Sequence, residues 1–198
     1  DALAYALRYA AELGDPQAAL SLSNAVNLLA KTLGPDNPDT LTSRGNLAYA
    51  YLSAGRLDQA ISLFEQNLAD RERVLGLDHP HTLTLRGNLA YSYLSAGRLD
   101  EAIGLFERTL TEALRVLGPD HTHTLTLRGN IAGAYESAGR LDEAIDLYEQ
   151  ILADRGRVLG PDHPDTLTSW GNLADAYESA GRLDEAILLY EQNLTDSG

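Results

Sequence analysis

Residues 160–190 read GPDHPDTLTSWGNLADAYESAGRLDEAILLY, from Gly160 to Tyr190, and close copies of this stretch precede it at a fixed step. The turn Gly160-Pro161-Asp162 recurs upstream as Gly118-Pro119-Asp120, Gly76-Leu77-Asp78 and Gly34-Pro35-Asp36, always 42 residues apart. A second punctuation mark, Ala180-Gly181-Arg182-Leu183-Asp184, keeps the same step at Gly139, Gly97 and Gly55. Residues 118–156 and 160–198 agree at 29 of 39 positions, far more than a shared fold alone requires. Recent duplication is the simplest cause.

Two breaks per period leave two segments, such as 40–53 and 57–75, both of helical length. In the second, Leu57, Ala60, Ile61, Phe64, Leu68, Val74 and Leu75 follow i, i+3, i+4 spacing and predict one apolar face. Gly76 suits a helix C-terminus. Pro38, Pro80 and Pro164 suit the first turn of the next helix, with Asp36 or Asn37 available as a cap. Strand signals are absent, so the unit is a helical hairpin that must stack on its copies to bury its apolar face. The spacing predicts repeats at 34–75, 76–117, 118–159 and 160–198, preceded over 1–33 by a diverged hairpin whose inter-helix turn is Leu13-Gly14-Asp15-Pro16.

Composition narrows the function. Of 198 residues, 15 are Lys or Arg and 29 Asp or Glu, and the net charge of −14 would repel nucleic acid. Zero Cys excludes disulfides and thiolate chemistry. No apolar run approaches the roughly 18–20 residues that span a bilayer, so no membrane partner is expected and a cytoplasmic location is. Zero Met leads us to expect a piece of a longer or processed protein.

The last repeat carries Trp170, Leu173, Ala174, Tyr177, Ala186 and Tyr190 at the spacing of the tetratricopeptide signature. Earlier copies read Leu47, Ala48, Tyr51, Ala60, Phe64; Leu89, Ala90, Tyr93, Ala102, Phe106; and Ile131, Ala132, Tyr135, Ala144, Tyr148. Over about 34–198 the chain therefore resembles the tetratricopeptide repeat family. Its period of 42 in place of 34, and Glu72 where the family has a proline, make it similar to kinesin light chain repeats. The resemblance implies an all-α, right-handed solenoid of stacked helix-turn-helix repeats, without catalysis or a cofactor. It also implies a protein or peptide partner, an extended peptide or a partner helix, held on a concave face lined by the first helices. Bacterial proteins of this subclass often attach such arrays to signalling ATPases or regulators, and the excess of Arg over Lys fits a GC-rich genome.

At 100° per residue, Leu41, Arg44, Leu47, Ala48, Tyr51 and Leu52 share the packing arc of the first helix. The opposite arc holds Thr42, Gly45, Asn46, Tyr49 and Ser53, then Thr84, Gly87, Asn88, Tyr91 and Ser95. It continues as Thr126, Gly129, Asn130, Gly133 and Ser137, then Thr168, Gly171, Asn172, Asp175 and Ser179. With Asp175 its one charge, this face is polar and nearly neutral. A ladder of Asn amides, each both donor and acceptor, suits a peptide backbone, or alternatively bonds neighbouring repeats and sets their pitch. Tyr49 and Tyr91 offer an aromatic anchor. The mid-helix glycines cost roughly 1 kcal/mol each relative to Ala, which close approach of the next repeat's helix, or alternatively of a ligand backbone, would explain.

Other chemistry is weaker. His79, His81, His121, His123 and His163 lie near acids in the turns, but the first turn, Asp36-Asn37-Pro38-Asp39, has no His, so they read as solvated turn residues and not metal ligands. Asp58, Asp100, Asp142 and Asp184 open second helices, as dipole partners. Arg56, Arg98, Arg140 and Arg182 read as solvated turn residues. Tyr51, Tyr93, Tyr135 and Tyr177 read as core. The alternative function is end-to-end self-assembly through an uncapped last helix, with Leu189, Tyr190 and Leu194, and an apolar start, with Leu3, Tyr5, Leu7 and Tyr9.

Overall fold

Pro38, Pro80 and Pro164 all open helices, where a first-turn N–H has no intrahelical partner to lose. The residue before each is the cap. Asn37 Oδ1 accepts the Asp39 N–H at 2.9 Å. In later repeats a histidine takes over: Nδ1 of His79, His121 and His163 accepts the N–H of His81, His123 and Asp165 at 3.2, 3.1 and 3.1 Å. His79, His121 and His163 are thus N-caps as well as the turn residues expected from the sequence, with His121 exposed and the other two half-buried. We expect His79→Ala to cost about 1 kcal/mol in urea unfolding and His79→Asn, which copies Asn37, to recover most of it. Equal losses in the two variants would show that the ring packs and does not cap.

The structure is a computed structural model that describes Tyr5, Ala6, Tyr9 and residues 16–196. Among the described residues the regular structure is nine helices: α1 (Pro16–Leu33), α2 (Pro38–Ser53), α3 (Leu57–Leu75), α4 (Pro80–Ser95), α5 (Leu99–Val116), α6 (Thr122–Ser137), α7 (Leu141–Leu159), α8 (Pro164–Ser179) and α9 (Leu183–Asp196). The chain divides into two compact units, Asp1–Leu105 and Phe106–Gly198. In the first, α1 to α4 pack each against the next, and in the second α6 to α9 do the same. Gly76 and Gly160 end α3 and α7 at φ of 91° and 96°, a conformation that a side chain would strain.

The core is the apolar arc of each hairpin. In the first unit, α2 buries Leu41, Leu47, Ala48 and Tyr51, and α3 buries Ala60, Ile61 and Phe64. In the second, Ile145, Tyr148 and Ile151 of α7 meet Leu173 and Tyr177 of α8 in one cluster. The apolar stripe of α3 departs from expectation at its C-terminal end. Val74 is exposed, whereas Asn67 and Arg71 are buried, because 60, 64, 67 and 71 continue one helical face whatever the polarity of the letters. Asn67 Nδ2 donates to the Leu41 carbonyl at 3.0 Å, which ties α3 to α2.

One clip recurs between repeats. Tyr93, Tyr135 and Tyr177 donate their hydroxyls to Glu65, Glu107 and Glu149 at 2.7, 2.8 and 2.5 Å, joining a first helix to the second helix of the preceding repeat. Arg98, Arg140 and Arg182 lie 4.3, 4.1 and 4.5 Å from the centroids of these same rings, held there by ion pairs to Glu101, Glu143 and Glu185. Arg56 sits at a looser 5.5 Å from Tyr51, with Gln59 where the later repeats carry the glutamate. Arg98, Arg140 and Arg182 are exposed, as expected of turn residues, and each also stacks on a ring. Tyr51 and Tyr177 are buried, and Tyr93 and Tyr135 half-buried.

Burial, and secondarily the neighbouring glutamates, push the Tyr93 and Tyr177 phenols up from 10 to about 12. Above pH 10 the unfolded chain ionises while the folded phenols stay protonated, so stability present below pH 10 is lost as pH rises toward 12. The urea midpoint should fall over that range, and fall less in the Tyr93→Phe/Tyr177→Phe double variant. A profile indistinguishable from that of the double variant would contradict the clip.

Candidate binding site

The face opposite the packing arc of α2 and α4 is open. Thr42, Tyr49, Ser53, Thr84, Tyr91 and Ser95 are exposed, with the two tyrosines at 50% and 51%, and Asn46 and Asn88 are half-buried. A cleft of about 410 Å³ brings together Thr42, Asn46 and Tyr49 of α2 with Thr84 and Asn88 of α4. Ser53, Tyr91 and Ser95 lie outside its lining. Four further residues complete it: Gly45, His81, Leu85 and Arg71, the last reaching in from α3. Arg71 was legible only through its spacing, four residues past Asn67 on the buried stripe.

Hydrogen bonding sorts the candidates. Thr84 Oγ1 donates to the Pro80 carbonyl at 3.0 Å and Ser95 Oγ to that of Tyr91 at 3.0 Å, so their protons are used within their own helix. In the second unit Thr126, Ser137 and Thr168 bond their own helices in the same way, and Ser179 Oγ donates to Glu136 at 3.1 Å. All four are exposed. Asp175 accepts the Tyr190 hydroxyl at 2.7 Å. Among the described residues, no side-chain hydrogen bond is made by Asn46, Asn88, Asn130 or Asn172.

The mid-helix glycines divide. A Cβ on Gly45 would meet Asn67 Nδ2 at 3.3 Å, so the close approach there is by α3 of the same repeat and not by the next repeat's helix. Nothing lies within 4 Å of the corresponding position on Gly129 or Gly171, and close packing does not explain those two.

The charge of the cleft runs against that of the protein. No carboxylate lines it, although the chain carries −14. Asp70 and Glu72, which flank Arg71 in sequence, are held by Arg44 at 2.6 Å and by Arg86 at 2.7 Å. Burial lowers the pKa of the Arg71 guanidinium, which nonetheless stays protonated at neutral pH. By contrast a cleft of about 510 Å³ in the second unit, reached by second helices, is lined by Glu107, Glu143 and Asp146.

The residues expected to mediate self-association are scattered. Leu189 packs against the core cluster of the second unit and is not an end-face residue; the exposed apolar side of α9 is Leu183, Ile187 and Leu188. Tyr190 is 40% exposed and bonded to Asp175. Tyr5 is exposed and stacks on Tyr9 with ring centroids 6.4 Å apart. Leu3, Leu7 and the Leu194 side chain lie outside the described residues.

The profile described as Tetratricopeptide repeat matches residues 3–73, 46–111, 81–155 and 123–195. Among solved structures, a kinesin light chain-like protein of Podosopora anserina with nearly identical TPR-like repeats is 32% identical, at a TM-score of 0.86 over 98% of this chain and 92% of that one. BtubC (BKLC) from P. vanneervenii is 19% identical, with a TM-score of 0.71 over 98% and 87% of the two chains. MamA of AMB-1 is 22% identical, with a TM-score of 0.60 over 97% and 99%. These last two share the fold. No curated protein matches the sequence. Among the described residues, no helix is long and apolar enough to cross a membrane.

Proposed function

We propose, since the chain belongs to the tetratricopeptide repeat family, whose members generally mediate protein–protein interaction and are typically non-catalytic, that it is a scaffold holding an extended peptide on its first-helix face. The observation that carries this reading is the pairing, in one cleft, of the uncommitted Asn46 and Asn88 amides beside exposed Tyr49. An amide presents donor and acceptor together, as a peptide bond does, so two of them in successive repeats bind backbone without regard to side chain. Thr42 and Thr84 border the same cleft, and Asn130 and Asn172 repeat the amide in the second unit with Thr126, Ser137, Thr168 and Ser179 around them. In this reading the first helices of the repeats at 34–75 and 76–117 hold a partner in the first unit, and those of the repeats at 118–159 and 160–198 offer the same kind of face in the second. The array serves a larger bacterial signalling or regulatory protein of the cytoplasm.

The test is fluorescence anisotropy with a degenerate pool of N-acetylated, C-amidated heptapeptides. The Asn46→Ala/Asn88→Ala double variant should bind about tenfold more weakly than the parent, the cost of two lost hydrogen-bonding groups. Unchanged affinity contradicts the assignment.

A second reading, end-to-end association, draws on Ile187, which is 55% exposed whereas Ile61, Ile103 and Ile145 at the same repeat position are buried. Light-scattering mass that rises with concentration in the parent, and stays at 21.4 kDa in Ile187→Glu, would favour it.

A further inference from the structure

Four buried side-chain atoms of the first unit have no protein partner: Thr40 Oγ1 on α2, Asn67 Oδ1 and Arg71 Nε on α3, and Thr82 Oγ1 on α4. Arg71 is 7% exposed and the other three residues 0%. Burial alone displaces the pKa of the Arg71 guanidinium, and the acids beside it in sequence, Asp70 and Glu72, already serve Arg44 and Arg86. The same helix pair two repeats on, α7 and α8, holds no such atom among the described residues. There Arg155 donates Nη1 to the Asp165 carbonyl at 3.0 Å and to Ser169 Oγ at 2.8 Å, and Thr166 Oγ1 donates to the Gly160 carbonyl at 2.8 Å. Ile151 stands where α3 has Asn67, and Leu85 stands where α8 has Ser169, so Arg71 meets no hydroxyl. The two partnerless atoms of the second unit, on His123 and Thr124, lie at the start of α6.

A buried polar atom without a partner raises the free energy of the closed state only, because separating the helices returns it to water. A guanidinium adds the cost of an uncompensated charge. We propose that the contact between α3 and α4 is a seam that opens locally far more often than the contact between α7 and α8, and that a peptide laid across α2 and α4 holds it shut. The first part stands on the buried atoms alone; the second rests on the peptide-binding reading above. Asn46 and Tyr49 on α2 and Thr84 and Asn88 on α4 border the cleft that Arg71 reaches from α3, so an occupant needs the three helices together. A ligand that binds the closed form alone depletes the open one. Opening uncovers α4, a helix of 16 residues that is marginal without cover, so its amides report the event.

Native-state hydrogen exchange on the whole chain makes the test. Leu89 and Ala90 of α4 correspond to Leu173 and Ala174 of α8, and Asn88 and Asn172 precede them, so the two pairs share intrinsic exchange rates. All four residues are buried. The Leu89 and Ala90 amides should exchange about tenfold faster than those of Leu173 and Ala174. Fraying from the exposed side of α9 acts in the opposite direction, since α8 is its neighbour. Arg71→Met/Thr82→Val replaces two of the partnerless atoms with apolar groups of similar shape, and should slow Leu89 and Ala90 about tenfold while leaving Leu173 and Ala174 unchanged. Thr82→Val alone should slow them less, which keeps the test open if the double variant fails to fold. Equal protection of the two pairs in the parent, or no slowing in either variant, would mean that internal water satisfies these atoms, and overturns the seam. The N-acetylated, C-amidated heptapeptide pool, at saturation, should slow Leu89 and Ala90 in the parent by about tenfold. A pool that binds by anisotropy without slowing them overturns the coupling and leaves the seam standing, whereas a pool that does not bind overturns the docking reading on which the coupling rests.

Discussion

Phe64→Ala is expected to lower the stability of the chain by about 3–5 kcal/mol, among the largest single-site losses in the molecule. Phe64 is completely buried in α3, on the face that carries Ala60 and Ile61. Truncating a buried phenylalanine removes both its transfer free energy and the contacts of the side chains around it, and a close-packed hairpin has little room to collapse into the space. Phe106, the copy in α5, is equally buried, and the expectation applies there too. In stacked repeats each hairpin touches only its neighbours, so the loss has an address. Hydrogen exchange in Phe64→Ala should accelerate first in α2, α3 and α4 and last in α8 and α9. A loss under 1 kcal/mol, or uniform acceleration along the chain, would contradict this picture of the core.

Ile145→Ala is expected to cost about 2–5 kcal/mol, whereas Ile187→Ala, one period later, should change stability by no more than about 0.5 kcal/mol. The two residues have the same place in their helices and nearly the same neighbours in sequence, Asp146 after Ile145 against Leu188 after Ile187. What differs is cover: Ile145 is 1% exposed and Ile187 55%. The pair isolates tertiary burial from intrinsic helix preference, since the propensity change is identical. Urea unfolding at two protein concentrations provides the check. A cost at Ile187 that approaches the cost at Ile145, and grows with concentration, would show that a second copy of the chain covers α9.

The hairpin order and the apolar arcs were legible because the 42-residue period repeats the same glycines, prolines and alanines, and four copies average away local ambiguity. What escaped the sequence did so for specific physical reasons. His79, His121 and His163 cap their helices through Nδ1, a role that cap preferences assign to Asn, Asp, Ser and Thr; Asn37 at the same position was the one hint. Arg98, Arg140 and Arg182 are exposed, as a turn position suggests, but the spacing did not reveal that each also covers the ring five residues back across that turn. Arg71 and Asn67 fall on the buried stripe by spacing, and their polarity concealed it. Leu189 was expected on the end face because it is apolar, but helical phase turns it to the core and leaves Ile187 and Leu188 outside. On the open face, spacing placed Thr42, Tyr49, Thr84 and Tyr91 at exposed positions but also assigned Gly87, which is buried. It could not foresee that several hydroxyls would be committed to their own helix while the asparagine amides were not.

Side-chain amide NMR tests the central claim, that the partner lies along the first-helix face, most directly. The amide protons of Asn46 and Asn88 line one cleft of the first unit, and those of Gln59 and Gln66 line another, on the side where Tyr51 and Ser23 meet α3. On titration with the blocked heptapeptide pool, the Asn46 and Asn88 signals should shift and saturate together while those of Gln59 and Gln66 stay in place. Saturable shifts at Gln59 and Gln66, with Asn46 and Asn88 unmoved, would put the partner on the opposite side of the hairpins and contradict the assignment.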